Sequence, residues 1–180
     1  MTASKLELRQ KYRKRRAAID MQVWADDLAA ALLAWDAWRE ATWVGGYVPL
    51  GDEPPLPDHS GLAVPRAQGG GFVYALPHDG MVAGAWRVPQ PDESARTLRW
   101  DELDLVLVPG LAFDRRGGRL GRGGGVYDRA LAQLPARVHR VGVAHPNLID
   151  ETLPTEPHDV AMTHLIIGHE VVSVRSSARP

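Results

Sequence analysis

Apolar residues recur at helical spacing in the N-terminal part of the chain. The segment Ser4-Lys5-Leu6-Glu7 has the form of a capping box, in which the serine and glutamate side chains accept the free N–H groups of a helix start. We therefore expect a first helix from about Lys5. Asp20 can cap a second helix, whose apolar face has spacings of four, four and three: Trp24, Leu28, Leu32 and Trp35. This face predicts a helix that lies on a sheet.

Short apolar runs predict the strands of that sheet. Residues 103–109 form a continuous Leu/Val run closed by Pro-Gly, which is typical of a strand buried on both faces of a parallel sheet. A Gly- and Arg-rich loop, a helix over 126–134 and a strand over 140–144 follow, which together predict a βαβ unit. The remaining predicted strands are 42–48, 62–65, 72–76, 165–167 and 171–175, whereas 94–99 is ambiguous.

These elements favour a single α/β domain over residues 1–180, with no internal repeat or interdomain linker. Open α/β sheets bind ligands outside the carboxyl ends of their strands. The pattern therefore predicts a site at the loop that follows Pro109.

The composition of the chain excludes several kinds of catalytic and metal-binding site. The 180 residues contain no cysteine, which excludes disulfide frameworks, thiol nucleophiles and Cys-zinc sites. The seven histidines form no HExxH or comparable spacing, which disfavours a zinc site. No apolar run is long enough for a membrane span and no secretory signal is readable, so we expect a cytoplasmic protein that does not bind membranes.

The net charge of −1 hides two basic segments. Residues 5–16 carry seven basic residues against Glu7 alone, and residues 113–129 carry five arginines against two aspartates. The remainder of the chain is correspondingly acidic. This distribution suggests a polyanionic ligand that is held from two places.

Within the loop after Pro109, six of the 18 glycines fall in the run Gly-Gly-Arg-Leu-Gly-Arg-Gly-Gly-Gly-Val-Tyr-Asp over 117–128. Without Cβ atoms, successive backbone N–H groups can turn toward one anion, and Arg119 and Arg122 supply positive charge. The loop has neither the Gly-Lys-Ser/Thr of a Walker loop nor the third glycine of a dinucleotide fingerprint. By itself it indicates phosphate binding or a flexible connection.

Five blocks of the sequence, in order, resemble the 5-formyltetrahydrofolate cyclo-ligase family. The longest is Pro109-Gly-Leu-Ala-Phe-Asp followed by Gly117-x-Arg-Leu-Gly-Arg-Gly-x-Gly-x-Tyr-Asp128. The other four are Lys5-x-x-x-Arg9, Asp52-Glu53, Trp86-x-Val-Pro-Gln-Pro91 and Glu156-x-His-Asp159. The resemblance implies a three-layer α/β/α domain with a mostly parallel sheet, of the ribose-phosphate isomerase/CoA-transferase-like class.

The resemblance also implies a reaction and its cofactors. Family members use ATP and Mg²⁺ to close 5-formyltetrahydrofolate into 5,10-methenyltetrahydrofolate, through phosphorylation of the formyl oxygen and attack by N10. The implied partner is this small-molecule substrate, without nucleic acid, and we expect a monomer or weak homodimer.

The resemblance also assigns the functional residues of the family to the matching positions of this chain. Arg122 and Tyr127 are implied as catalytic, and Asp128 and Asp159 as ligands of Mg²⁺. The implied substrate-binding residues are Val48, Glu53, Trp86, Arg122 and Val126. The implied ATP-binding residues are Lys5, Arg9, Arg119, Gly121, Arg122, Gly123, Gly124, Gly125, Val126 and Tyr127.

Two other interpretations compete with this one. The basic first helix could bind RNA or DNA, which predicts salt-sensitive binding without nucleotide turnover. Alternatively, the chain could be a sugar-phosphate isomerase or acyl-CoA transferase of similar architecture, which predicts no need for ATP. The latter leaves the two aspartates beside the arginine loop unexplained.

Overall fold

A computed structural model of the chain describes residues 4–77 and 80–174, without the side chain of Trp86. Its α-helices are α1 (Lys5–Arg16), α2 (Met21–Ala34), α3 (Asp36–Arg39) and α4 (Val126–Leu131), and two 3₁₀ turns span Ala85–Arg87 and Pro146–Leu148. The strands are β1 (Val44–Gly45), β2 (Leu62–Gln68), β3 (Gly71–Ala75), β4 (Met81–Ala83), β5 (Pro89–Pro91), β6 (Thr97–Leu98), β7 (Leu105–Pro109), β8 (Ala112–Asp114), β9 (Arg119–Leu120), β10 (His139–Ala144), β11 (Ile149–Asp150), β12 (His164–Ile167) and β13 (Glu170–Ser173).

The predicted starts of the first two helices are confirmed. Ser4 Oγ accepts the Glu7 N–H, while Glu7 Oε2 accepts the Ser4 N–H at 2.8 Å. Asp20 accepts two N–H groups of the first turn of α2. The helix ends before Trp35, because that residue adopts an extended conformation. The sequence interpretation was therefore wrong to place Trp35 on the helical face.

Eight strands form one sheet in the order β13-β12-β10-β7-β1-β2-β3-β6. The five from β12 to β2 are parallel to their neighbours, and antiparallel strands complete both edges. The α/β class with a mostly parallel sheet is confirmed, and so is the βαβ unit, since β7 and β10 pair in parallel on either side of α4. The first strand is much shorter than the predicted 42–48, and α4 ends three residues before the predicted 134.

The glycine-rich loop contains a hairpin that periodicity did not predict. Strands β8 and β9 pair in antiparallel fashion, and β11 joins β8. The carboxylate of Asp114, which is buried, accepts the N–H groups of Arg116, Gly118 and Leu153. These bonds explain why an acidic side chain is tolerated in the interior. They anchor the loop rather than leaving it a flexible connection.

The two faces of the sheet are covered unequally. Helices α1, α2 and α3 cover one face, where Trp24, Leu28 and Leu32 of α2 pack against residues of β7, β10 and β12. The other face is covered by short α4 and by loops, around Phe113 and Leu131. The predicted third layer is therefore thin. Since β7 is buried on both faces, its continuous Leu/Val run is explained.

An aromatic cluster at the amino ends of β10 and β12 predicts a pH-dependent stability. The rings of His139 and His164 lie 4.8 Å apart, and Trp35 packs on both. Burial and then the charge of His139 lower the pKa of His164 below its usual 6.5. The unfolded chain therefore binds more protons than the folded one just below pH 6.5.

We expect the contribution of the neutral His164 to the free energy of unfolding to be complete above pH 6.5 and to be lost as the pH is lowered toward 5. Urea denaturation at a series of pH values measures it. The variant His164→Gln should have a flatter profile across this window. An equally steep profile in the variant would assign the dependence to other groups.

Candidate active site

A cavity of about 390 Å³ opens at the carboxyl ends of β1 and β7, where the sequence predicts the site. Every predicted site residue whose side chain is described lines this cavity. They are Lys5, Arg9, Val48, Glu53, Arg119, Gly121, Arg122, Gly123, Gly124, Gly125, Val126, Tyr127, Asp128 and Asp159. Trp86 was also predicted, but its side chain lies outside the described part of the structure.

Helix α1 brings the first two cations to the cavity. Lys5 Nζ lies 2.9 Å from Asp159 Oδ2 and 3.1 Å from Glu156 Oε2. Burial alone would lower the pKa of Lys5, but its hydrogen bonds with these two carboxylates raise the pKa overall. One turn later, Arg9 Nε donates to Gly121 O at 3.1 Å. The helix is thus attached to both the C-terminal block and the glycine loop.

The glycine loop runs from β9 into α4 through two left-handed backbone positions. Gly123 has φ +110° and Gly125 has φ +61°, conformations that residues with a Cβ rarely adopt. A Cβ on Gly123 would make only ordinary contact, 3.4 Å from Arg9 Cζ, so the constraint is the backbone conformation. The positive φ, and not only a need for loop flexibility, therefore explains why residue 123 is glycine.

Arg119 and Asp128 form an ion pair in the wall of the cavity. Arg119 Nη2 lies 2.8 Å from Asp128 Oδ1, and the side chains are only 6% and 17% exposed. The guanidinium also lies over the Tyr127 ring, 5.6 Å from its centroid. Burial, and then the nearby charge of Glu53, raise the pKa of Tyr127. Its phenol is thus protonated at neutral pH and able to donate a hydrogen bond.

Arg122 spans the cavity from the glycine loop to the turn after β1. Its Nη2 lies 3.0 Å from Glu53 Oε1 and also contacts Asp52 Oδ1. Glu53 is buried, and its other oxygen accepts the N–H of Leu50 at 3.1 Å. The backbone thus holds one oxygen of the Glu53 carboxylate and Arg122 pairs with the other, which fixes the orientation of this side chain.

Sequence reasoning missed several groups that line the cavity. Glu156, His158 and Asp159 can bring one ligand atom each within 4.8 Å of one another, although only Asp159 was singled out. Their common block Glu156-x-His158-Asp159 was the available signal. Tyr47 and Phe72 add aromatic surface from distant parts of the chain, and no local pattern distinguishes them from core residues.

The fold and the cavity define an α/β protein with an arginine- and glycine-lined cavity at the carboxyl edge of its central parallel strands, the edge where proteins of this class bind ligands. A model of the 5-formyltetrahydrofolate cyclo-ligase family matches residues 63–168, more than half of the chain. The chain therefore belongs to this family, as its sequence blocks indicated.

Curated relatives carry the same family name. A 5-formyltetrahydrofolate cyclo-ligase of Mycolicibacterium smegmatis is 46% identical over 78 residues, which cover 43% of this chain and 39% of the relative. The Haemophilus influenzae protein is 35% identical over 99 residues, covering 54% of this chain and 53% of the relative. The matched region thus spans about half, or less, of these relatives' lengths.

Solved structures share the fold. An NMR structure of Aquifex aeolicus 5,10-methenyltetrahydrofolate synthetase superposes with a TM-score of 0.82 at 24% identity, covering 98% of this chain and 95% of that one. A Mycoplasma pneumoniae 5,10-methenyltetrahydrofolate synthetase gives 0.69 at 21% identity, covering 91% and 98%. The α/β fold is common to all three. None of the helices in the described part of this chain has the length and apolar character that a membrane crossing requires.

Proposed function

We propose that the protein catalyses the ATP-dependent cyclisation of 5-formyltetrahydrofolate to 5,10-methenyltetrahydrofolate, with release of ADP and phosphate. The observation that carries this proposal is the placement of Arg122, whose guanidinium joins the glycine loop to Glu53. A group between a phosphate-binding loop and a buried carboxylate can serve a reaction between a nucleotide and a second substrate. Membership of the family supports the same reaction.

The chemistry requires activation of a formamide. Its carbon is a poor electrophile and its oxygen a poor leaving group, so the γ-phosphoryl group is first transferred to the formyl oxygen as its bond to ADP breaks. N10 then attacks the formyl carbon and loses its proton, and phosphate departs with the formyl oxygen. Phosphoryl transfer asks the protein mainly for positioning and for neutralisation of charge.

The cationic residues suit that task. Lys5 and Arg9 lie on one face of α1, and Arg119 and Arg122 face the same cavity from the other basic segment. A guanidinium binds two phosphate oxygens at once and remains charged. The residues Gly121, Gly123, Gly124, Gly125 and Val126 would add backbone contacts to the nucleotide.

Other residues that line the cavity are assigned to the folate. Glu53 would accept paired N–H donors from the aminopyrimidine edge of the pterin, and Val48 and Val126 would contact its rings. Tyr127, which is protonated, would donate to the formyl oxygen. Trp86 remains a predicted folate contact.

The donor set fits Mg²⁺. Asp128 and Asp159 both line the cavity, and magnesium is usually held by one or two carboxylates together with phosphate oxygens and water. Asp159 and Glu156 already converge on one cation, the ammonium of Lys5. Bound Mg²⁺ would neutralise phosphate charge, while Lys5 would turn toward the nucleotide.

We further propose a cytoplasmic monomer or weak homodimer that binds no nucleic acid. Lys5, Arg9 and Arg16 engage acceptors of their own chain, which leaves a reduced basic face on α1. Size-exclusion chromatography tests the oligomeric state, and a binding titration with RNA at low salt tests nucleic-acid binding. Tight, salt-sensitive RNA binding would favour the competing interpretation.

The direct test is a spectrophotometric assay for 5,10-methenyltetrahydrofolate formed from 5-formyltetrahydrofolate. We expect product with ATP and Mg²⁺, and none when ATP is omitted or the metal is chelated. Turnover of a sugar phosphate or an acyl-CoA without ATP would instead support the isomerase or transferase interpretation. Absence of any ATP-dependent product would overturn the proposal.

The variant Gly123→Ala should weaken ATP binding about tenfold, because a Cβ at its left-handed backbone position strains the loop by roughly 1–3 kcal/mol. The matched control is Gly124→Ala, since a Cβ there would make only ordinary contact, 3.5 Å from Val126 Cγ2. Calorimetric titration with a non-hydrolysable ATP analogue measures both. Equal losses in the two variants would show that the φ of Gly123 is not the cause.

A further inference from the structure

A stripe of polar side chains attaches α1 to the body of the protein. Lys5, Arg9, Tyr12 and Arg16 follow spacings of four, three and four, so they lie on one face of the helix. The first two line the cavity and Tyr12 donates to Asp150 at 2.6 Å. Arg16 does not line the cavity, so neither the sequence blocks nor the proposed ATP contacts account for it.

The environment of Arg16 is that of a bridging group. Its side chain is only 2% exposed, and its Nη1 donates to Gly110 O at 2.6 Å. Its Nε donates to Asp52 O at 3.1 Å and lies 3.2 Å from Asp52 Oδ2. A buried charge persists only where such acceptors surround it. Arg16 therefore fixes the turn after β1, the end of β7 and α1 relative to one another.

Asp52 continues the connection to the cavity. One of its oxygens pairs with Arg16 and the other contacts Arg122, which in turn pairs with Glu53 at 3.0 Å. Two guanidinium groups repel each other, and the carboxylate between them offsets that repulsion. The order Arg16, Asp52, Arg122, Glu53 is a continuous chain of ionic contacts from the interior to the site.

We propose that Arg16 and Asp52 are a positioning pair, which sets the orientation of Arg122 and Glu53 toward the folate. The inference rests on the proposed function, because Arg122 and Glu53 are its assumed substrate contacts. Neither Arg16 nor Asp52 needs to touch substrate. Their effect is transmitted through Arg122, and this makes the proposal testable.

The test variant is Asp52→Asn, which keeps the shape and the backbone carbonyl but removes the charge. The Asp52 side chain is 36% exposed, and the variant leaves Gly110 O and Asp52 O as acceptors for the buried Arg16. We therefore expect the thermal unfolding midpoint to fall less in Asp52→Asn than in Arg16→Gln. Calorimetric binding of 5-formyltetrahydrofolate should weaken about tenfold, as for loss of one charge-assisted hydrogen bond. Lys14→Gln, which removes a charge at an exposed position of α1, the helix that carries Arg16, should bind folate like the wild type.

A double variant separates positioning from a merely structural role. In an Arg122→Ala background, Asp52→Asn should change folate affinity by less than about twofold, because the group that it orients is absent. Arg16→Lys should weaken folate binding less than Arg16→Gln, since it keeps the charge that pairs with Asp52. A thermal midpoint is measured for each variant.

The outcomes distinguish the two proposals. If the wild-type protein turns over 5-formyltetrahydrofolate but Asp52→Asn binds folate with unchanged affinity, the positioning pair is overturned and the proposed function stands. An equal loss in both Arg122 backgrounds would also overturn it, since Asp52 would then act independently. Absence of wild-type turnover would overturn the proposed function and this inference with it.

Discussion

Replacing Arg122 by alanine is expected to lower turnover of 5-formyltetrahydrofolate by two to three orders of magnitude, roughly the loss found when one group that stabilises transition-state charge is removed. Arg122 faces the cavity between the glycine loop and Glu53. Its truncation removes the cation that joins the glycine loop to Glu53, between the proposed nucleotide and folate contacts. Steady-state rates with saturating ATP measure the effect.

Two further variants show whether the loss in Arg122→Ala is specific to the guanidinium of this residue. Arg122→Lys keeps a charge but loses the planar fork, so its rate should lie between those of wild type and Arg122→Ala. Arg115→Ala is the matched control, because Arg115 is an exposed arginine of the β8–β9 turn and the charge change is the same. A rate of Arg122→Ala equal to that of Arg115→Ala would remove Arg122 from the mechanism.

The second large effect is expected at the Arg119–Asp128 pair. Arg119→Met leaves the carboxylate of Asp128 without its partner at a site where both side chains are largely buried. We expect the free energy of unfolding to fall by about 3 kcal/mol, the lower end for breaking a buried pair. Nucleotide binding should fall as well. Urea denaturation and titration with an ATP analogue measure the two effects.

The double variant Arg119→Met/Asp128→Asn removes the uncompensated charge. It should recover part of the lost stability while nucleotide binding stays weak, which separates the structural from the functional contribution. The exposed pair Arg39–Asp36 supplies a control, with side chains 57% and 72% exposed. Arg39→Met should change stability by less than about 1 kcal/mol. Similar losses at both pairs would contradict the role assigned to burial.

The local elements were largely readable from sequence. The capping box at Ser4, the Asp20 cap and the buried run that became β7 each depend on neighbours within a few residues, and all three are present. The sequence-based predictions failed where tertiary contacts override the local conformational preference of the chain. Trp35 leaves the helix to pack on the histidine rings, and Asp114 organises a hairpin inside a run that looks flexible.

The lining of the cavity was predictable in part as a set of residues but not as a geometry. Every predicted site residue with a described side chain lines the cavity, but the prediction missed Glu156, His158, Tyr47 and Phe72. The pairings of the predicted residues were not readable. The Lys5–Asp159 contact joins residues 154 positions apart and the Arg122–Glu53 contact joins residues 69 apart. Arg16, in the same basic segment as Lys5, proved to be interior, which no charge count distinguishes.

Sequence by itself determined the local elements, the uneven charge and the blocks that identify the family, because each of these depends on residue order over short distances. Tertiary structure decided which charges face the cavity, which pair with one another and which one is buried. Those outcomes depend on strand order, since parallel pairing brings the segments after β1 and β7 to one edge of the sheet. Burial then converts an arginine that is ordinary in the sequence into a fixed support for the site.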